Sequence, residues 1–182
     1  YHEDKGGLIA GLSGLTDIEN IQLAADANGP VSNIHGDLNL DMGGYGKTAF
    51  QYTVDNKDST SLKLKGRMAM DARIVPPQAA AMMTSPDVDV ILNASMSPEK
   101  AVQLEQLDIQ NGHTTISMKG TADFEREKMD LQTQISGIDP APFLNGTGVM
   151  LKKPGPIEIT ATGPFMAPEV HVSTELAGVK AD

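Results

Sequence analysis

Gly46-Lys47-Thr48 has the residue types that close a phosphate-binding loop, where backbone N–H groups cradle phosphate and the lysine reaches its outer oxygens. That loop needs a glycine five residues before Gly46, and Asp41 stands there. Thr48, Phe50, Tyr52 and Val54 then alternate as a strand instead of opening the required helix, so a hairpin turn through Gly43-Gly44 explains the triplet better. Asp37-x-Asn39-x-Asp41 imitates the opening ligands of a calcium loop. Leu38 and Leu40 between them fit a strand, and the twelfth position is Thr48 where the loop needs glutamate. Asp87 and Asp89 have the types of a general acid and base, but the same alternation assigns both to a wet face. His35, His113 and His171 occupy polar positions singly, with no pair at metal-ligand spacing. No serine sits in a Gly-x-Ser-x-Gly elbow, and the absence of cysteine excludes disulfides and thiolate chemistry. Asn93-Ala94-Ser95 and Asn145-Gly146-Thr147 fit the glycosylation pattern, which has meaning only in a eukaryotic secreted protein. These readings predict a protein that is not an enzyme and holds no metal or cofactor.

What positions these residues is a run of two-residue alternations. The apolar phase reads Ile34, Gly36, Leu38, Leu40, Met42, then Leu62, Leu64, Gly66, Met68, Met70, then Ile116, Met118, Gly120, Ala122, Phe124, then Ile157, Ile159, Ala161, Gly163, Phe165. Such alternation predicts β-strands with one wet and one dry face. Each run carries a glycine on the dry phase, where the missing side chain marks a bulge, a bend or the close approach of another body. Four such glycines predict a curled sheet, or one whose apolar face stays partly open as a groove. The strands expected are Ile18–Ala27, Ile34–Met42, Lys47–Val54, Ser61–Met70, Asp87–Met96, Val102–Ile109, Thr114–Phe124, Met129–Ile135, Ile157–Gly163 and Glu169–Leu176.

Turn residues separate the strands. Asn111-Gly112 predicts a tight type I′ hairpin with positive φ at both residues. Residues 55–58, 97–100 and 125–128 read as longer hairpin loops. Between Val102 and Ile109 the apolar phase slips from Val102 and Leu104 to Leu107 and Ile109, which one β-bulge explains. Pro76 to Met83 predicts one or two helical turns and Asp139 to Leu144 another, each with proline where a first turn tolerates it. Asn56 and Arg126 stand 70 positions apart, as do Pro86 and Pro156, so the chain reads as quasi-repeats near 18–85 and 86–182.

Composition bounds the partners. In 182 residues, 40 % are apolar but only 4 % aromatic, so the dry faces are built from aliphatics and ten methionines, a smooth and adaptable lining. A formal charge of −10 with scattered cations repels phosphate backbones and anionic bilayers, and predicts no nucleic-acid partner. No apolar run is long enough to span a membrane. The start, Tyr1 to Lys5, has neither the basic nor the apolar region of a signal peptide. The expectation is a single internal slice, residues 1–182, of a longer protein.

Leu12-Ser13-Gly14-Leu15, the stretch from Ile18 through Ala27 to Leu40, Leu62-Lys63-Leu64-Lys65-Gly66-Arg67-Met68 and Ile116-Ser117-Met118-Lys119-Gly120-Thr121-Ala122 resemble the TamB family. This is the inner-membrane-anchored subunit of the translocation and assembly module and belongs to the AsmA-like bridge-like lipid-transfer proteins. The resemblance implies a Gram-negative cell-envelope protein in the periplasm, anchored to the inner membrane in its full length. It implies an elongated, curled antiparallel sheet folded lengthwise into a hydrophobic trough, taco-like. It further implies phospholipid transport in outer-membrane biogenesis, with a TamA-like outer-membrane barrel as partner. The groove lining expected is Leu38, Leu40, Phe50, Tyr52, Leu62, Leu64, Met68, Met70, Val90, Leu92, Ile116, Met118, Phe124, Leu131, Ile157 and Ile159, in contact with phospholipid acyl chains. The alternative fold is a closed β-sandwich. The alternative function is a chaperone-like scaffold for barrel or autotransporter assembly, offering sheet edges by β-augmentation.

Overall fold

The computed structural model describes residues 2–3, 21–57, 59–71, 85–138 and 149–181. It is a single antiparallel sheet in which each strand pairs with its neighbours in sequence. The strands are β1 (His2–Glu3), β2 (Ile21–Ala25), β3 (Asn33–Asp41), β4 (Gly46–Asn56), β5 (Thr60–Met70), β6 (Asp87–Met96), β7 (Ala101–Asn111), β8 (Thr114–Asp123), β9 (Lys128–Ser136), β10 (Val149–Pro164) and β11 (Glu169–Ala181). The first and last strands do not pair, so the sheet is open and is not a barrel. With neighbours ~4.8 Å apart, such a sheet extends roughly 50 Å across its strands. An open sheet this wide twists and coils instead of lying flat. The helix seen among the described residues is one 3₁₀ turn at Gly43–Tyr45, and the helical turns expected at 76–83 and 139–144 lie outside them.

Short turns enforce the meander. Between β7 and β8 the loop is Gly112-His113, with Asn111 and Thr114 facing each other as the last ladder pair. This corrects the expected Asn111-Gly112 turn by one position, and only Gly112 takes a positive φ, of 56°. The reason lies in Asn111, whose amide is used elsewhere. Its Nδ2 donates to the carbonyls of Ser85 and Asp87, at 2.5 and 2.9 Å, and this holds it in the strand. The expected bulge is present. Glu105 and Gln106 oppose Lys119 alone, so Leu104 and Leu107, three positions apart, face the same side.

The sandwich alternative is overturned. All the described strands belong to one continuous ladder, and none of them has a face that is buried throughout. A sandwich core would bury a whole strand face. Here the buried apolar residues among those described are Ile21, Met42 and Val88.

Candidate functional site

The register lines the apolar phases up into rows that cross the sheet, because directly opposed residues of antiparallel neighbours project from the same face. One row runs Leu38, Phe50, Gly66, Val90, Ile109, Ile116, Ile135, Ile157. The next runs Gly36, Tyr52, Leu64, Leu92, Leu107, Met118, Thr133, Ile159, Val172. A third runs Ile34, Val54, Leu62, Ala94, Leu104, Gly120, Leu131, Ala161, Val170. Toward β2 a shorter row holds Leu23, Leu40, Thr48, Met68 and Val88. No charged side chain interrupts these rows. The result is one continuous apolar face.

Chemistry separates this face from its opposite more than exposure does, since Asp89, Ile91, Asn93, Asp108 and Ser117 of the opposite face are half-buried too. Leu38, Leu40, Phe50, Tyr52, Leu62, Leu64, Met68, Val90, Leu92, Ile116, Met118, Leu131, Ile157 and Ile159 are all half-buried. The intervening Asp37, Lys63, Lys65, Arg67, Lys119, Asp130 and Glu158 are exposed. Met70 pairs with Gly46 in the phase of Met68. Phe124 stands at the end of its row. It lies just past β8 and is 58 % exposed, with its ring packed on Phe165 at a centroid distance of 5.4 Å.

Three dry-phase glycines are sites of close approach; at Gly120 a β-carbon would run into the Asp130 carbonyl of the next strand. A β-carbon on Gly66 would run first into the Ala49 carbonyl and would sit 2.5 Å from Phe50 Cδ1 and 2.7 Å from Phe50 Cα, so backbone and aromatic ring together occupy the space the glycine leaves. Gly36 is opposed by Tyr52, whose hydroxyl donates across β3 to the carbonyl of Asp26 at 2.7 Å. A β-carbon on Gly36 would run into that same Asp26 carbonyl. At these positions the glycines admit a neighbour's ring or backbone and do not leave a gap in the face.

The opposite face is polar. Arg67 and Asp89, direct ladder partners, form a two-pronged ion pair with Nε–Oδ1 at 2.7 Å and Nη2–Oδ2 at 3.1 Å. The hydrogen bond from Arg67 holds the Asp89 carboxyl below the ordinary carboxylate range. Lys47, which the sequence offers as a phosphate ligand, bonds Asp41 at 2.7 Å and lowers its carboxyl in the same way. Asp41 also accepts from the Gly43 amide, so the calcium-like residues are engaged in fixing a turn. Among the described residues no group of three or more His, Asp or Glu is placed to hold a metal ion. The concavities enclosed by described residues, of about 980, 600, 770 and 290 Å³, are shallow and lie mainly on this polar face, between rows of long side chains. The apolar face offers an unbroken surface, with no chemistry placed on it.

The expected lining left out several members of the face, among them three that the sequence already places on the apolar phase. Leu107 and Ile109 lie beyond the bulge, where simple alternation changes phase, and Leu104 before it. Val54, Val88 and Ile135 continue the alternation of their own strands and were readable from it. No helix among the described residues is long and apolar enough to cross a membrane. Compared with models of protein families, with curated proteins and with solved structures, the chain matches none.

Proposed function

We propose that the chain is part of a periplasmic bridge that carries phospholipid between the inner and outer membranes of a Gram-negative envelope, as the TamB-like sequence texture implies. Acyl chains slide along the apolar face, and the polar face meets water. The observation that carries this reading is the continuity of three apolar rows across the sheet, with no charge among them and their side chains only half-buried. Leaving apolar surface in water is unfavourable by about 25 cal/mol per Å², so such a face favours a hydrocarbon occupant. A single ladder of this length also gives a route instead of one pocket. A charge placed on the route must be desolvated, at a cost of several kcal/mol. In the full-length protein, Leu64→Asp or Met118→Arg is therefore expected to weaken the outer-membrane permeability barrier, while Lys65→Asp, one residue away on the polar face, leaves it intact. Thermal melts show whether each variant is folded. Equal defects from Leu64→Asp and Lys65→Asp in folded protein contradict the reading.

The second reading, a scaffold that pairs its edge with unfolded barrel strands, is favoured by β11. Val170 and Val172 of this strand are 57 % and 59 % exposed, apolar side chains that an incoming strand would cover. If Leu64→Asp and Met118→Arg are both silent in folded protein while a proline at Val172 abolishes barrel assembly, this reading replaces the first.

A further inference from the structure

The two rims of the sheet, where strands turn back, differ in chemistry. One rim is formed by the turns at 42–46, 111–114 and 137–138 with the entry to β6, and it is stitched by buried polar groups. Asn111 and Thr114 are 7 % and 6 % exposed. Asn111 clamps Ser85 and Asp87, and the Thr114 hydroxyl donates to the Gly137 carbonyl at 3.2 Å. No large apolar side chain is exposed on this rim among the described residues.

The other rim carries the turns at 26–32, 56–60, 96–101, 123–128 and 164–169. Outside β11, every exposed large apolar side chain described is here: Val31, Met96, Phe124 and Met166, from 45 to 94 % exposed. Met96 and Phe124 are in the phase of the apolar face. Met96 pairs with Val102 and Val102 with Ala122, two residues before Phe124. Phe165 holds the equivalent place after Gly163, and its amide is tied to the Glu127 carbonyl at 2.9 Å. The apolar surface therefore reaches this rim between charged turn residues. Around it the charges have both signs with acidic groups in excess: Lys100, Arg126 and Lys128 are interleaved with Glu99, Glu125 and Glu127, Lys57 and Arg126 pair with Asp55 and Asp123, and Asp26 and Glu169 stand beside the outer turns.

We infer that this rim is a lip over which the acyl chains of a zwitterionic phospholipid pass sideways onto the apolar face, with the Phe124–Phe165 pair at its centre. The inference rests on the lipid-carrying function proposed above. Exposed aromatic and thioether side chains meet the hydrocarbon, and the mixed charges suit a headgroup that itself carries both signs. An anionic headgroup meets a chain of formal charge −10 and is disfavoured.

The test places a photocrosslinking amino acid at position 124, 118 or 113 of the full-length protein and exposes each to phosphatidylcholine vesicles. Lipid adducts are then read by mass spectrometry. Adducts at 124 and at 118, with several-fold less at 113 on the opposite rim, are expected. Adducts at 118 without 124, or equal adducts at 124 and 113, overturn the lip and leave the apolar face as the route. Absence of adducts at 118 overturns the proposed function and the lip with it. Phosphatidylglycerol vesicles should label position 124 less; equal labelling overturns the zwitterionic preference.

Discussion

Phe50 and Gly66 are direct partners across the β4–β5 ladder, and the Phe50 ring fills the space where a side chain at position 66 would stand. Gly66 has an ordinary backbone conformation, so its constraint is steric. Gly66→Ala is expected to destabilise the fold by about 1–3 kcal/mol, the usual cost of overpacking. Phe50→Leu should recover part of that loss in the Gly66→Ala background, while the approach of the Ala49 carbonyl keeps the recovery incomplete. A double-mutant cycle in urea measures the coupling. Strictly additive effects contradict the ring-over-glycine arrangement.

Lys100 closes the β6–β7 turn at φ 60°, with its amide donating to the Ser97 carbonyl at 3.0 Å. A left-handed conformation costs a non-glycine residue about 1–2 kcal/mol, and the extra freedom glycine loses on folding offsets about 0.5–1 kcal/mol of that. Lys100→Gly should therefore stabilise the protein by about 0.5–1 kcal/mol, read as a higher melting temperature. A lower melting temperature contradicts the assigned turn.

Asn111, itself buried, joins two segments far apart in sequence, and truncating it removes the donor shared by the carbonyls of Ser85 and Asp87. Asn111→Ala should cost about 1–3 kcal/mol in chemical denaturation. Asn111→Asp should not rescue it, because a carboxylate cannot donate to those carbonyls.

Acid should weaken the sheet through its polar face. Arg67 and Lys47 depress the carboxyls of Asp89 and Asp41 in the folded state, so each pair's contribution is fully present at neutral pH. It is lost as the pH falls below about 4, through the depressed folded values. Asp89→Asn should flatten the fall of the urea midpoint in that range, and high salt should flatten it in the wild type because both pairs are exposed. An unchanged pH profile in Asp89→Asn contradicts a role for this pair.

Much of the fold was legible because alternation is a local property. Asp87–Met96 matches β6 at both ends, and the phase slip around Leu104 and Leu107 located the bulge before any pairing was known. Pairing order and register are non-local, yet the short turns left only neighbour-to-neighbour ladders open. What local pattern does not reveal is competition for a side chain. Asn111 looked like a turn residue and is a clamp, because Ser85 and Asp87 lie beside it only after folding. Dry-phase glycine was read as a bulge, a bend or a close approach, and only the folded structure says which body approaches: the Asp26 carbonyl at Gly36, the Ala49 carbonyl and Phe50 at Gly66. Phe124 continued the alternation but falls past the last ladder pair of β8, Asp123 with Lys128, and sits on the rim.

Native mass spectrometry of protein purified without detergent tests most directly whether the apolar face holds hydrocarbon. The wild type and Lys65→Asp should carry phospholipid of cellular origin, released on collisional activation, and folded Leu64→Asp should carry little or none. Lipid-free wild type, or lipid retained equally by Leu64→Asp, would contradict the account.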